Sequence, residues 1–263
     1  MADAARSSLS LGSLTLMIFT RVRSMLGIVV ASAVTIVASS IVIAVSFLGK
    51  HELATSLIHS WARACLKVFG IGVSVHGEES LPAVGGGIVV FNHQSLFDIP
   101  VLMVSTAKNI RFGAKIELFK LPIFGAAMRA CGTLPIAREN RAEVLKIYKA
   151  AEIRFKRNTL FVLAPEGTRQ KEPAIGKFKK GPFLFAINAG VPIIPVVLKG
   201  THAVLPKKTM HINVGRLYRE IKVEYLPAIS TKGLTPIDVD GIVEKTRADM
   251  VAVYERTPID YDP

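Results

Sequence analysis

From Leu26 to Phe47 the chain runs for 22 residues without a charged side chain, and between Ser7 and Gly49 only Arg21 and Arg23 carry charge. Few environments accept so long an apolar segment. As a helix rising about 1.5 Å per residue it is long enough to cross a hydrocarbon layer of roughly 30 Å. A cleaved leader would have a shorter apolar part nearer the start. A buried core helix is the bland alternative. The expectation is a membrane-anchoring helical region over residues 1–70 ahead of a domain over 71–263. Arg6, Arg21 and Arg23 precede the run and Lys50, Arg63 and Lys67 follow it, so the flanking charge is level. A single span and a hairpin dipping into one leaflet both remain open.

From Glu52 to Phe69 the pattern turns amphipathic. Leu53, Leu57, Trp61, Ala64, Cys65 and Val68 recur at helical spacing, with Glu52, Ser56, His59, Arg63 and Lys67 on another side. Such a helix could lie at headgroup level with Trp61 at the boundary, or pack on the domain that follows.

Beyond Gly70 the periodicity is that of an α/β fold. Val73–Val75, Ile88–Phe91, Leu160–Ala164 and Ile193–Leu198 read as strands, and the last three are apolar throughout rather than alternating. Continuous apolar strands imply a sheet covered on both faces. A helix is expected from about Arg141 to Arg157, with Val144, Leu145, Ile147, Tyr148, Ala151 and Phe155 inward and Asn140 with Glu143 as its cap. Strands near His211–Val214 and Ile221–Tyr225 and a helix from about Pro236 to Tyr254 complete the expected mixed, mostly apolar sheet flanked by helices.

Charge narrows the partners. Lys and Arg number 33 against 20 Asp and Glu, a formal net charge of +13, and half the residues are hydrophobic. A chain both basic and apolar suits a membrane surface better than nucleic acid. Cys65 and Cys131 form neither a metal-ligand spacing nor a disulfide framework, which points to a reducing compartment.

Two loops carry candidate chemistry, each following an apolar run. After Ile88–Phe91 come Asn92, His93, Gln94, Ser95 and, five residues beyond the histidine, Asp98. A loop that folds back would let the Asp98 carboxylate accept the Nδ1 proton of His93, leaving Nε2 free as a base. Asp98 could also cap the helix entered through Pro100. Ser95 has no Gly-x-Ser-x-Gly elbow around it and is expected to bond local backbone. Gly85, Gly86 and Gly87 precede a strand instead of following one, so they form no phosphate loop. A base without a protein nucleophile leaves the substrate to supply the attacking hydroxyl. After Leu160–Ala164 come Glu166, Gly167, Thr168 and Arg169. These offer a tight turn, a hydroxyl and a bidentate fork for a phosphate, with Glu166 turned away to hold Arg169 or another base.

Four ordered blocks now stand out: Asn92–Ser95 with Asp98, Gly132–Arg138, Pro165–Arg169 and Val191–Val196. Together they resemble the glycerolipid acyltransferase family, most narrowly its branch that makes phosphatidic acid from 1-acyl-sn-glycerol 3-phosphate. Pro135 departs from the usual second block, where an aromatic or aliphatic residue is more common. The resemblance implies His93 as the base that deprotonates the acceptor hydroxyl, Asp98 as its assistant, and direct attack on an acyl thioester. It implies Gly132, Arg138, Glu166, Gly167, Thr168 and Arg169 as the lining of the phosphate-bearing acceptor's site, and Lys115 as a further phosphate contact. The fourth block would shape the acyl side or simply be a buried strand. No metal and no cofactor is implied beyond an acyl-CoA or acyl carrier protein co-substrate. The partners are then membrane lipids and lysophosphatidic acid, with the catalytic domain on the cytoplasmic face of a membrane. Acyltransferases with another acceptor, such as a lyso-ornithine lipid or glycerol 3-phosphate, and a non-catalytic lipid-binding protein are the rivals.

Overall fold

The computed structural model of the chain describes residues 11–137 and 141–256. Seven strands form one sheet: β1 (Ile71–His76), β2 (Gly87–Phe91), β3 (Asn109–Lys115), β4 (Leu134–Ile136), β5 (Thr159–Leu163), β6 (Ile193–Lys199) and β7 (Arg219–Tyr225). Their order across the sheet is β1-β7-β6-β2-β5-β3-β4. β6, β2, β5, β3 and β4 run parallel, whereas β7 is antiparallel to β6 and carries β1 parallel beside it. The helices are α1 (Leu11–Phe47), α2 (His51–Val68), α3 (Asp98–Val104), α4 (Phe124–Ala130), α5 (Arg141–Ala151), α6 (Gly181–Ala189), α7 (Thr201–Val204) and α8 (Val239–Arg256).

The uninterrupted apolar strands occupy the middle, as double coverage requires: every residue of β2, β5 and β6 is buried. Alternation along β2 feeds two cores. Val89 and Phe91 join Leu102 and Phe69 on one face, whereas Ile88 and Val90 join Phe185 and Met250 on the other. On the second face Tyr148 stacks on Phe185 at 4.1 Å between ring centroids.

Several expectations need correction. Residues 211–214 form no strand. Asn213 adopts φ 48°, which breaks an extended run, and the Ile212 and Asn213 amides donate to Ser24 Oγ and the Val204 carbonyl. β3 and β4 escaped notice because polar Asn109, Arg111 and Lys115 and the glycine Gly113 blur the first, and the second has only three residues at the sheet edge. The helix expected to reach Arg157 turns 3-10 from Glu152 and stops at Asn158, which has φ 55°. Its expected cap residue Asn140 lies outside the described residues, as does the Leu145 side chain. The last helix opens with a 3-10 turn at Pro236–Asp238, held by a capping box between Thr235 and Asp238.

α1 and α2 form an antiparallel hairpin turned at Gly49, which has φ 73°. Trp61 faces the partner helix of the hairpin. Its indole is half-buried and donates to Thr35 Oγ1 of α1 at 2.9 Å. From Gly12 to Phe47 α1 is long and apolar enough to cross a membrane, with a mean hydropathy of 2.6 and only 11% of its most apolar stretch buried. This exposed apolar helix associates the chain with a membrane. It is also tied to the sheet. Arg23 donates to the carbonyls of Asn213, Arg216 and Leu217, Ser24 accepts from Ile212, and Thr20 accepts from Gly215. Gly27 has no room for a side chain beneath the Phe69 ring, and Phe69 packs edge-on to Phe97 at 5.4 Å. Further along, α1 packs on α4. The helix therefore follows the edge of the sheet where the parallel strands end.

Candidate active site

β2 delivers the first loop. Its next residue, Asn92, continues the ladder with a side chain: the amide donates to the Leu198 carbonyl at 2.9 Å and its oxygen accepts the Leu198 N–H at 2.7 Å. The chain then turns. His93 Nδ1 lies 2.7 Å from Asp98 Oδ2, and the same oxygen accepts the Gln94 and Ser95 amides at 2.8 and 3.0 Å. Asp98 is fully buried while the His93 ring keeps 15% of its surface exposed, edge-on to Phe91 at 5.6 Å. A carboxylate only accepts, so Nδ1 carries the proton and Nε2 is left as the basic nitrogen. Asp98 stands in the first turn of α3 but makes no cap bond to it, contrary to the second role considered for it. Its Oδ2 is taken up by the preceding turn, and its Oδ1 is buried without a partner. Ser95 bonds local backbone only in part: its Oγ accepts the Phe97 amide as expected, but it donates to the Leu205 carbonyl, 110 positions away.

β5 delivers the second loop. Gly167 takes φ 71°, and its amide closes a turn on the Ala164 carbonyl at 3.1 Å. Glu166 is buried, and it does not hold Arg169. Its two oxygens accept from Gln170 Nε2 at 2.7 Å and the Gly176 amide at 3.3 Å. Burial, against these bonds, pushes its carboxyl up to about 7. The Gln170 amide donates to the His93 carbonyl at 2.8 Å and so locks the two loops together. The Arg169 guanidinium makes no ion pair among the described residues.

The other candidates fall on neighbouring strands of the same edge. Lys115 ends β3 in register with Ile136 of β4, and it forms an exposed ion pair with Glu117 at 3.5 Å. Gly132 precedes β4 with φ 70°, and its carbonyl accepts from Arg154 Nη1 at 2.7 Å, with the guanidinium filling the space a side chain there would need. Arg138 lies outside the described residues. The fourth block leads into β6, with Val191 and Pro192 partly buried ahead of the strand and Ile193–Val196 buried within it, and the Pro192 and Pro195 carbonyls accept from Ile88 and Leu226.

The acyltransferase family model matches residues 72–199, which include both loops. A Caenorhabditis elegans protein assigned as a 1-acyl-sn-glycerol-3-phosphate acyltransferase is 33% identical over 212 residues, 79% of this chain and 72% of that one. This chain belongs to that family of acyltransferases. The human 1-acyl-sn-glycerol-3-phosphate acyltransferase alpha is 29% identical over 194 residues, 73% of this chain and 67% of its own. The crystal structure of the 1-acyl-sn-glycerophosphate acyltransferase PlsC from Thermotoga maritima superposes with a TM-score of 0.76, covering 92% of this chain and 99% of that one at 24% identity. The two share a fold.

Sequence reasoning missed the groups of this acyltransferase that hold the loops from behind. Tyr254 of α8 accepts from Gln94 Nε2 at 3.0 Å and donates to Gln94 Oε1 at 3.3 Å, and Gln94 also reaches the Ala174 carbonyl. Arg247, two turns earlier, donates to the carbonyls of Ile175 and Gly176 at 2.9 and 2.7 Å. Lys207 donates to Thr168 Oγ1 at 3.2 Å and to the Arg169 carbonyl at 2.7 Å. No local pattern announces these contacts, because Tyr254 and Gln94 are 160 positions apart.

Proposed function

We propose that this acyltransferase moves an acyl chain from a thioester to the free hydroxyl of 1-acyl-sn-glycerol 3-phosphate, giving phosphatidic acid, on the cytoplasmic face of a membrane. The bond from His93 Nδ1 to buried Asp98 carries the reading, because it leaves Nε2 as the basic nitrogen, while the hydroxyl of Ser95, two residues on, is taken up by the Leu205 carbonyl and the Phe97 amide. Nε2 takes the proton of the acceptor hydroxyl as its oxygen attacks the thioester carbonyl. The carbon–sulfur bond then breaks, and the imidazolium returns the proton to the departing thiolate. Asp98 stabilises the imidazolium in between. The thioester is acyl-CoA or acyl carrier protein, and the reaction needs no other cofactor. Arg169, Lys115 and Arg138 hold the phosphate, with Gly167 and Thr168 shaping the turn beneath it and Gly132 the start of β4. Glu166 orients loop backbone through Gln170 and Gly176.

Purified protein offered lysophosphatidic acid and a lysolipid without the phosphate, each with both donors, tests this reading. Acylation of lysophosphatidic acid is expected. Arg169→Lys keeps the charge but loses the planar fork, so KM for the phosphate-bearing acceptor is expected to rise by roughly three- to tenfold. An equal loss with the acceptor that lacks phosphate makes Arg169 structural and overturns the phosphate assignment. No transfer to lysophosphatidic acid from either donor overturns the acceptor.

A further inference from the structure

The turn at Leu217 and Tyr218 separates two cavities that lie outside the catalytic loops. One, of about 440 Å³, opens between α2, the start of β1 and Tyr218, with Arg63 and Lys67 at its rim and Leu66, Ile71 and Val73 beneath. The other, of about 510 Å³, is lined by Gly12, Thr15, Leu16, Phe19 and Leu217. The first is cationic over an apolar floor and the second is mostly apolar. Leu217 and Tyr218, consecutive in the chain, each line one of them.

The positive charge here is uncompensated. Neither cavity is lined by an acidic side chain, and neither Arg63 nor Lys67 forms an ion pair among the described residues. Four residues apart on α2, they stand on the same face of that helix. Behind them Arg23 satisfies only carbonyl oxygens, its Nε is buried without a partner, and its Nη1 lies 3.3 Å from where a side chain on Gly70 would begin. Tyr218 is held over β1 because Gly72 has no side chain, its hydroxyl filling that space. An aromatic ring with a polar tip at such a rim suits the level between headgroups and hydrocarbon. On the other side Leu217 and Phe19, both more than half exposed, continue the apolar face that α1 turns outward.

We infer that the two cavities together bind one anionic phospholipid of the bilayer, its phosphate between Arg63 and Lys67 and an acyl chain along Leu16, Phe19 and Leu217. Charge selects the headgroup, since a zwitterionic lipid brings its own cation to a site that already has two. Continuity with α1 selects a lipid over a soluble anion. β7 and β1 begin at the edge where β6 ends, so a lipid held here fixes the edge that carries His93 at the bilayer surface.

Full-length protein in nonionic detergent tests the site, with phosphatidylglycerol, phosphatidylcholine or inorganic phosphate added and thermal unfolding followed. Phosphatidylglycerol is expected to raise Tm by about 2 to 4 °C over phosphatidylcholine at equal mole fraction. Arg63→Gln with Lys67→Gln is expected to abolish that difference and keep wild-type turnover on a water-dispersed acceptor. Leu217→Ser is expected to shrink it at full headgroup charge. If the double variant fails to fold, the exposed single substitution Lys67→Gln reports the same loss in part. Equal stabilisation by the two lipids, or a phosphatidylglycerol shift that survives Lys67→Gln undiminished, overturns the site. A matching shift from millimolar inorganic phosphate overturns the lipid assignment.

Discussion

His93 touches its carboxylate through one short bond, and the carboxylate is held by two backbone amides that the histidine does not supply. The ring thus inherits its orientation from the turn that contains it. Removing the imidazole in His93→Ala is expected to lower kcat by about 10² to 10⁴ with Tm little changed, read from steady-state kinetics beside a melting curve. Activity within threefold of wild type would remove His93 from the chemistry. Asp98→Asn is expected to be as severe, since an amide donor facing Nδ1 favours the wrong tautomer. Glu166 carries a different signature. Its carboxyl, raised from 4.5 to about 7 by burial, binds a proton in the folded chain that the unfolded chain has already released. Its contribution to stability is therefore full below about pH 4.5 and is lost as pH rises through about 7. Glu166→Gln mimics the protonated form, and Gln170 can turn its amide to accept the new donor. The variant is expected to be more stable than wild type at pH 8 by about 1 to 3 kcal/mol and to match it at pH 4.5, measured by denaturant unfolding at both values. A constant difference across the range would mean that Glu166 titrates normally.

At the scale of elements, α8 is a back plate for both loops. Tyr254 holds Gln94, one residue after His93, and Arg247 holds the segment that returns an amide to Glu166. Tyr254→Phe keeps the ring and removes the hydroxyl. It is expected to reduce kcat by roughly three- to tenfold with KM for both substrates unchanged, because the loop loosens without leaving the sheet. A change confined to KM would mean that Tyr254 serves the substrate instead. None of this was legible beforehand, and the reason is physical. His93 and Asp98 are five residues apart and the Glu166–Arg169 turn is contiguous, so local spacing carries them. The bonds that hold them come from α8 and from Lys207, where a tyrosine on a mixed helix or a lysine in a loop looks like any other. The same limit governed the strands. β2, β5 and β6 announced themselves because both faces are buried, whereas β3 and β4 lie toward one edge and mix charge with glycine.

The molecule as a whole joins a helical hairpin to the edge of the sheet that bears His93 and the Glu166–Arg169 turn. Cutting the chain after residue 49 would free the carbonyls of Asn213, Arg216 and Leu217 and uncover Phe69. The truncated chain is expected to melt cooperatively, several degrees below the full chain, and to acylate a water-dispersed lysolipid better than one embedded in a bilayer. Loss of a cooperative transition would make the hairpin part of the core, and a proportional loss of both activities would deny it any part in reaching the bilayer. Asn92 gives the sheet one further property. Its side chain pairs with Leu198 in both directions, as a strand residue would, at the last rung before the backbone turns toward His93. If β6 slid by one residue against β2, that amide would face the wrong neighbour and His93 would start from the wrong height. The Asn92 rung thus extends the four backbone pairs of these central strands up to the site itself, and turnover recovered after refolding counts the molecules whose strands have met in step.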